Sequence, residues 1–246
     1  MRTYAIGDIH GHLDKLEAAH RSIDADRARV GDEAAPVVHI GDLVDRGPDS
    51  RGVIDFLIRG QASGAPWVTL KGNHDRMFAE FLDDPDSHDP GLRVSLHWVS
   101  RNLGGAATLA SYGIENIEER LLFDLHQEAS VRVPEDHASF LRALPSYFRH
   151  GGTVFVHAGI RPGVPLEQQS EDDLLWIRGE FLDDPRDHGA LVVHGHTPVD
   201  IATHYGNRVN IDTGAGYGRA LTAVVIEQGR VWRLGPEGRT EIVPTC

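Results

Sequence analysis

The first third of the chain repeats one local pattern three times: a short apolar run, a loop with glycine beside a polar residue, and a stretch with helical spacing. The apolar runs are residues 3–6, 36–40 and 67–70, and the helical stretches are residues 13–29, 53–58 and 77–82. Three successive strand–loop–helix units predict a parallel or mixed sheet with helices packed against it. Ligands bind outside the carboxyl ends of the strands in such sheets, so we expect a functional site at these loops.

The rest of the chain has a weaker pattern. Residues 83–152 predict a helical insertion, with helices over residues 92–101 and 135–144. Further strands are predicted over residues 153–156 and 191–194, and the tail predicts an antiparallel meander over residues 201–205, 208–211, 221–227 and 230–234. We expect a single domain over residues 1–246, because chains of this length often form one domain.

Cysteine content and charge restrict the classes of function. The chain has 15 histidines and one cysteine, Cys246, so it forms neither an internal disulfide nor a thiolate zinc site. The 24 basic and 37 acidic residues leave a net charge of −13, which argues against a nucleic acid as partner. Neither a signal-peptide pattern nor an apolar stretch of about 18 residues occurs, so we expect a soluble protein of the reducing cytoplasm with no membrane partner.

Five loops place aspartate, asparagine or histidine beside glycine directly after an apolar run. They are Gly7-Asp8-Ile9-His10-Gly11, Gly41-Asp42-Leu43-Val44-Asp45-Arg46-Gly47, Gly72-Asn73-His74-Asp75, His157-Ala158-Gly159 and Gly195-His196-Thr197. Glycine allows a sharp turn and a close approach of the backbone to an ion, and the polar residues supply oxygen and imidazole ligands. One such loop is a weak signal, but five in the same position indicate a site for Mn, Fe or Zn.

The order of these loops resembles the calcineurin-like metallophosphoesterases. Within that family, Asp45-Arg46-Gly47 is similar to the phosphoprotein phosphatase branch, particularly its small bacterial and phage members. The resemblance covers residues 7–197. It implies an α/β fold in which a β-sandwich of mixed sheets is flanked by helices, in the layer order α/β/β/α.

The resemblance also implies two divalent metal ions, with Mn as the first expectation and Fe or Zn as alternatives. Its ligands would be Asp8, His10 and Asp42 for one ion, and Asp42, Asn73, His157 and His196 for the other. Asp42 would then bridge the two ions, which lie about 3.5 to 4 Å apart in two-metal sites. The nucleophile implied by the resemblance is a hydroxide that also bridges them.

The remaining catalytic roles fall on four residues by the same resemblance. Arg46 and Arg178 would bind the substrate phosphate through their planar guanidinium groups. His74 would be the general acid, oriented by Asp45. Two alternatives stay open: His74 as a metal ligand, and Arg178 as an ordinary exposed arginine. His194 precedes the last loop, and we expect it to lie outside the metal ligands.

The sequence thus predicts a metal-dependent phosphatase, most specifically a serine/threonine phosphoprotein phosphatase, whose substrate is a phosphorylated protein or a small phosphoester. One alternative keeps the site and changes the substrate to a dinucleoside polyphosphate such as diadenosine tetraphosphate. Another is a non-catalytic binding module in which metals only brace the loops. Asp75 stands where the phosphoprotein phosphatase branch often carries glutamate, which leaves the subfamily open.

Overall fold

The computed structural model describes residues 1–245, so the expectations about Cys246 lie outside the described residues. Within them, two mixed sheets form the centre of the molecule. The strands are β1 (Arg2–Ile6), β2 (Val37–His39), β3 (Trp67–Thr69), β4 (Tyr147–His150), β5 (Thr153–Val156), β6 (Leu191–His194), β7 (Thr203–His204), β8 (Arg208–Asn210), β9 (Ala223–Glu227), β10 (Arg230–Gly235) and β11 (Gly238–Glu241).

Helices follow the strands that they connect. The α-helices are α1 (Leu13–Val30), α2 (Ser50–Ala62), α3 (Asn73–Asp83), α4 (Gly105–Ser111), α5 (Leu122–Arg132), α6 (Glu135–Ala143), α7 (Glu171–Trp176) and α8 (Gly179–Leu182), with 3₁₀ turns at Ile117–Glu119, Leu166–Gln168 and Ala215–Tyr217. α1 ends at Gly31, whose φ of 67° is left-handed and stops the helix. α2 begins after Asp49, whose side chain accepts a hydrogen bond from the backbone N–H of Gly52.

The first sheet has six strands in the order β11-β10-β9-β1-β2-β3. β1, β2 and β3 pair in parallel, as the three strand–loop–helix units predict. The second sheet has five strands in the order β4-β5-β6-β8-β7, with β5, β6 and β8 parallel. The carboxyl ends of the parallel strands carry the five polar loops, which confirms the mixed-sheet α/β architecture as the scaffold of the site.

Apolar side chains divide into layers that follow this architecture. Between the two sheets lies a buried cluster that includes Ala5 and Val38 from one sheet and Phe155 and Val193 from the other. A larger cluster packs α1 to α6 against the outer face of the first sheet. A smaller one packs α7 and α8 against the second sheet, beside Phe181. These are the four layers α/β/β/α expected from the resemblance.

Two secondary-structure predictions are wrong. Residues 92–101 form successive turns instead of a helix, because side chains bond the backbone that a helix would use: Asp89 accepts from the N–H of Gly91, and Ser100 accepts from the N–H of His97. The tail is not one meander. β7 and β8 join the second sheet, whereas β9 and β10 join the first, and β11 is a further strand that the sequence pattern did not predict.

The segment 83–152 contains α4, α5 and α6, but it also contains β4, which pairs antiparallel with β5. Its last residues therefore belong to the second sheet. The helices of this segment pack against α2 and α3, which follow the second and third polar loops.

Candidate active site

The two sheets bring their polar loops together at one end of the sandwich. The backbone N–H of His196, after β6, donates to Oδ2 of Asp8, after β1, over 3.0 Å. Nδ1 of His157, after β5, lies 3.1 Å from the carbonyl oxygen of Ile40, after β2. These bonds join loops of different sheets, so one site is assembled from both.

Backbone strain is concentrated in these loops. Seven non-glycine residues among residues 1–245 have a left-handed φ, and five of them are candidate site residues: His10, Asp42, Asp45, Arg46 and His196. Such conformations cost about 1 to 3 kcal/mol each and persist only where the surrounding structure enforces them. Their concentration here is typical of a site whose side chains must be aimed in unusual directions.

One group of ligand atoms lies around Asn73, the first residue of α3. Its Oδ1 lies 2.9 Å from Nε2 of His157 and 2.9 Å from Nδ1 of His196. Oδ1 of Asp42 lies 3.4 Å from the same Nε2 of His157. Two imidazoles, one carboxylate and one amide oxygen thus converge, and together they form a donor set for a divalent metal ion.

A second group of ligand atoms lies on the other side of Asp42. Its Oδ2 lies 3.4 Å from Nε2 of His10 and 4.0 Å from Nε2 of His74. The two carboxylate oxygens of Asp42 therefore face the two groups separately. This arrangement is compatible with a bridging carboxylate, the role that the resemblance implies for Asp42.

The imidazoles are held in a form that can bind metal. Nδ1 of His10 lies 2.8 Å from the carbonyl oxygen of Val44 and donates to it, which leaves Nε2 as an acceptor. His157 is held in the same way by Ile40. Burial lowers the pKa of both histidines below the ordinary value, so both are neutral at pH 7, as metal ligation requires.

The carboxylates of the site carry an unfavourable concentration of buried negative charge. Burial raises the pKa of Asp8 well above its ordinary value, and the charges of Asp212 and Asp42 raise it further. Oδ1 of Asp8 is buried without a hydrogen-bond partner within the described residues. A cation beside that oxygen would offset both costs, so the residues present fit a metal ion.

Asp42 behaves differently from Asp8. Burial would raise its pKa, but the surrounding imidazoles, led by His157, His74 and His10, hold it well below the ordinary range. Asp42 is therefore ionised at neutral pH, and it offers both oxygens as ligands.

His74 and Asp45 form a buried pair next to these groups. Nδ1 of His74 lies 2.6 Å from Oδ2 of Asp45. Its other nitrogen, Nε2, accepts a hydrogen bond of 3.0 Å from Nη2 of Arg46. Nη1 of Arg46 bonds Nε2 of His10, so the guanidinium contacts both His10 and His74.

The other candidate residues lie around this centre. Nε of the exposed Arg178 donates to Nε2 of His196 over 3.1 Å, so the side chain points into the site. His194 is buried at the end of β6 with Nε2 3.2 Å from Nη1 of Arg208, away from the ligand groups. Asp75 accepts from the N–H groups of Leu43 and Gly72 and so ties the second loop to the third.

Four further residues lie near the site, and the sequence assigned a functional role to none of them. Asp212 is buried, and burial raises its pKa to about 6. Tyr217 is 59% exposed, and its ring lies 4.8 Å from the guanidinium carbon of Arg46. Trp98 and Thr108 both donate to Asp45. The glycines around Tyr217 indicated a tightly turning loop, but no sequence pattern indicated that Trp98 or Thr108 lies near the site.

A comparison with family models now connects this geometry to known proteins. The model described as calcineurin-like phosphoesterase matches residues 1–224. The chain belongs to the calcineurin-like phosphoesterase family. The match covers strands β1 to β8 and all five loops of this phosphoesterase, and the resemblance that the loops indicated is therefore confirmed.

Relatives of this phosphoesterase have two kinds of name. The Bis(5'-nucleosyl)-tetraphosphatase PrpE [asymmetrical] of Bacillus subtilis (strain 168) is 28% identical over 236 residues, which cover 88% of this chain and 87% of that protein. The Serine/threonine-protein phosphatase 1 of Salmonella typhimurium (strain LT2) is 30% identical over 231 residues, which cover 91% of each. Both support a hydrolase that acts on phosphate esters or anhydrides.

A solved structure supports the fold of this phosphoesterase. The cold-active protein-tyrosine phosphatase of a psychrophilic Shewanella species superposes with a TM-score of 0.65 at 15% identity, covering 98% of this chain and 80% of that chain. At this identity the likeness concerns the fold alone.

Among residues 1–245, the helices are too short or too polar to cross a membrane.

Proposed function

We propose that this phosphoesterase is a two-metal phosphomonoester hydrolase that acts on phosphoserine and phosphothreonine in proteins. The observation that carries the proposal is the buried His74–Asp45 pair, in which Nε2 of His74 lies 3.0 Å from Nη2 of Arg46. An imidazole held by a carboxylate and directed at a phosphate-binding arginine is suited to protonate a leaving oxygen.

The proposed metal ligands are those that the resemblance implies. Asp8, His10 and Asp42 would hold one ion, and Asp42, Asn73, His157 and His196 would hold the other. Two divalent ions supply positive charge to the phosphoryl oxygens and lower the pKa of bound water. The mixture of carboxylate, amide and imidazole ligands without thiolate suits Mn, which is our first choice, and also Fe or Zn.

The protein's own side chains then bind the substrate and complete the reaction. Arg46 and Arg178 would hold the phosphate through charge-assisted hydrogen bonds. As the bond from phosphorus to the leaving oxygen breaks, its electron pair stays on that oxygen, which takes a proton from Nε2 of His74. Water supplies the new oxygen on phosphorus and releases a proton to solvent, and solvent returns a proton to His74.

The need for an acid favours a phosphoserine or phosphothreonine substrate. A serine alkoxide is a strong base and a poor leaving group, so its departure gains much from protonation. A nucleoside phosphate leaves as a weakly basic anion and gains less. A buried His74–Asp45 pair that supplies a proton therefore fits a phosphate monoester of an alcohol better than it fits a polyphosphate.

A second candidate is the asymmetric hydrolysis of a dinucleoside tetraphosphate. The exposed ring of Tyr217, 4.8 Å from the guanidinium of Arg46, favours it, because a nucleobase next to the bound phosphate could stack on that ring. Phosphotyrosine and small aryl phosphates would use the same ring as secondary substrates. PrpE is the relative whose name supports this candidate.

Parallel kinetics on the two substrates test the proposal. The purified chain is supplied with Mn²⁺ and assayed on a phosphoserine peptide and on diadenosine tetraphosphate, with Tyr217→Ala as a second enzyme. We expect the higher kcat/KM on the peptide, with little effect of Tyr217→Ala there. A much higher kcat/KM on the nucleotide that Tyr217→Ala abolishes would establish the second candidate instead. If the chain hydrolyses neither the peptide nor the nucleotide, the result would favour a non-catalytic binding module in which metals only brace the loops.

The compartment belongs to the same proposal. We infer a cytoplasmic protein, because a chain with one cysteine cannot form the internal disulfides that are typical of proteins in oxidising compartments. Fractionation of cells that express the native chain, with immunodetection in the cytoplasmic fraction as the expected result, tests this inference.

A further inference from the structure

Asp45 receives more hydrogen bonds than its contact with His74 explains. It is fully buried, and its Oδ2 accepts from Nδ1 of His74 over 2.6 Å and from Nε1 of Trp98 over 2.9 Å. Its Oδ1 accepts from the hydroxyl of Thr108 over 2.6 Å. Both oxygens of this carboxylate are therefore fixed by donors outside the five loops.

The backbone of Asp45 is fixed by the same neighbours. Its φ is 75°, a strained conformation for a residue other than glycine. Its N–H donates to Oγ1 of Thr108 over 2.9 Å and to Oγ of Ser50 over 3.1 Å. The Thr108 hydroxyl thus binds both the main chain and the side chain of Asp45, so it sets the direction in which the carboxylate points.

Trp98 is held firmly enough to act as a support. It is 3% exposed, and its ring stacks on Phe78 at 5.0 Å and lies 5.0 Å from Phe81. Both phenylalanines are on α3, the helix that carries His74 in its first turn. A Cβ on Gly105 would meet Cε2 of Trp98 at 2.6 Å, so only glycine leaves room for the indole. The indole N–H can only donate a hydrogen bond, and it donates one to Asp45.

We propose that Trp98 and Thr108 are positioning residues for the general acid. They lie outside the reacting groups and act through Asp45, by fixing the carboxylate that holds Nδ1 of His74 and so directs Nε2 at the leaving oxygen. The inference rests on the proposed function, because it takes His74 to be the acid. It also gives the segment 83–152, which holds both residues, a part in catalysis.

Variants that remove only the donors test the inference. Trp98→Phe keeps an aromatic ring and loses the N–H, and Thr108→Val keeps the shape and loses the hydroxyl. Thr108→Ser keeps the hydroxyl. Trp67→Phe is the matched control, because Trp67 stacks on Phe56 at 5.2 Å and makes no contact with Asp45. Thermal unfolding shows that each variant is folded at the assay temperature.

The kinetic readout is the dependence of kcat on the leaving group. Phenyl phosphate needs protonation of its leaving oxygen, whereas 2,4-dinitrophenyl phosphate leaves as a stable anion and does not. We expect kcat on phenyl phosphate to fall about tenfold or more in Trp98→Phe and Thr108→Val, with a much smaller fall on the dinitrophenyl ester and little change in KM. Thr108→Ser should restore most of the rate lost in Thr108→Val.

A spectroscopic readout does not depend on turnover. In protein labelled with ¹⁵N-histidine, the Nδ1–H signal of His74 is assigned by its absence in His74→Asn. We expect Trp98→Phe and Thr108→Val to shift or broaden that signal, and Trp67→Phe to leave it in place.

Three outcomes separate this inference from the proposed function. Equal falls of kcat on both esters, or rates and an Nδ1–H signal like those of the unaltered chain, would overturn the positioning role. If His74→Asn itself hydrolyses both esters at full rate, the acid assignment fails together with the inference. If the unaltered chain hydrolyses no ester, the proposed function fails, and an unperturbed Nδ1–H signal in both donor variants would overturn the inference by itself.

Discussion

Oδ2 of Asp45 lies 2.6 Å from Nδ1 of His74, and both side chains are almost completely buried. Because this contact occupies Nδ1, Nε2 is the nitrogen of His74 that faces Arg46, and it accepts a hydrogen bond of 3.0 Å from that guanidinium. Nδ1 of His10 and of His157 faces a main-chain carbonyl oxygen, whereas Nδ1 of His74 faces a carboxylate. On this difference we propose His74 as the general acid and the other two as metal ligands.

Substitution of His74 by asparagine should remove turnover without removing metal. We expect His74→Asn to retain two ions per chain and to lose about 10²- to 10⁴-fold in kcat on a phosphoserine peptide, the range typical of a general acid. Steady-state kinetics and metal analysis of the same preparation provide the measurement. His12→Asn, beside the first loop, is the matched control and should keep its activity.

Two results would change the role of His74. Loss of one ion per chain in His74→Asn would make it a ligand, as its distance of 4.0 Å to Asp42 allows. A variant with unaltered kcat would remove it from the mechanism.

Arg178 should contribute to phosphate binding although its side chain is exposed. We expect Arg178→Ala to lower kcat/KM about 10- to 100-fold, because a hydrogen bond between charged groups contributes about 1.5 to 3 kcal/mol. Competitive inhibition by inorganic phosphate should weaken in parallel. The control is Arg161→Ala, which removes an exposed arginine that is paired with Asp173 and Glu180. If phosphate inhibits Arg178→Ala and the unaltered chain equally, Arg178 is an ordinary surface residue.

Asp26 should stabilise the fold in a pH-dependent way. It is buried on α1 and accepts hydrogen bonds from Arg239, Arg29 and Tyr4. Burial by itself would raise the pKa of Asp26, but these hydrogen bonds lower it to about 2. An unfolded aspartate has a pKa of about 3.9, so the stabilisation is complete above that pH and is lost as the pH falls through 2.

We therefore expect Asp26→Asn to lower the free energy of unfolding by about 2 kcal/mol at pH 7. Below pH 4, the difference in this free energy between the variant and the unaltered chain should become smaller. Urea unfolding at several pH values measures it, with the exposed Asp24→Asn on the same helix as the control. A deficit that is equal at pH 7 and pH 3 would show that the charge of Asp26 does not stabilise the fold.

The sequence predicted the parts of this molecule that depend on local pattern. The runs before Asp8, Asp42 and Asn73 are strands β1, β2 and β3, because short apolar runs bounded by glycine loops specify buried parallel strands. The loops after them could be placed at one edge of a sheet by topology alone. The side-chain roles assigned to them stay predictions, which the experiments above address.

Long-range contacts account for what the sequence did not predict. Trp98 lies in a segment predicted to be a helix, but the chain forms turns there and the indole N–H donates to Asp45, 53 residues away. The tail strands β8 and β9 pair with different sheets, because the segment between them crosses the site through Asp212 and Tyr217. Local propensity contains no information about either constraint.

We propose that the five loops hold two metal ions on which phosphoester hydrolysis depends. This is tested by the metal content and turnover of one preparation, measured after exhaustive chelation and again during stepwise addition of Mn²⁺. We predict that the chelated protein stays folded and has no activity on a phosphoserine peptide, and that activity returns in full as the content reaches two ions per chain. Full activity in protein without metal would contradict the account.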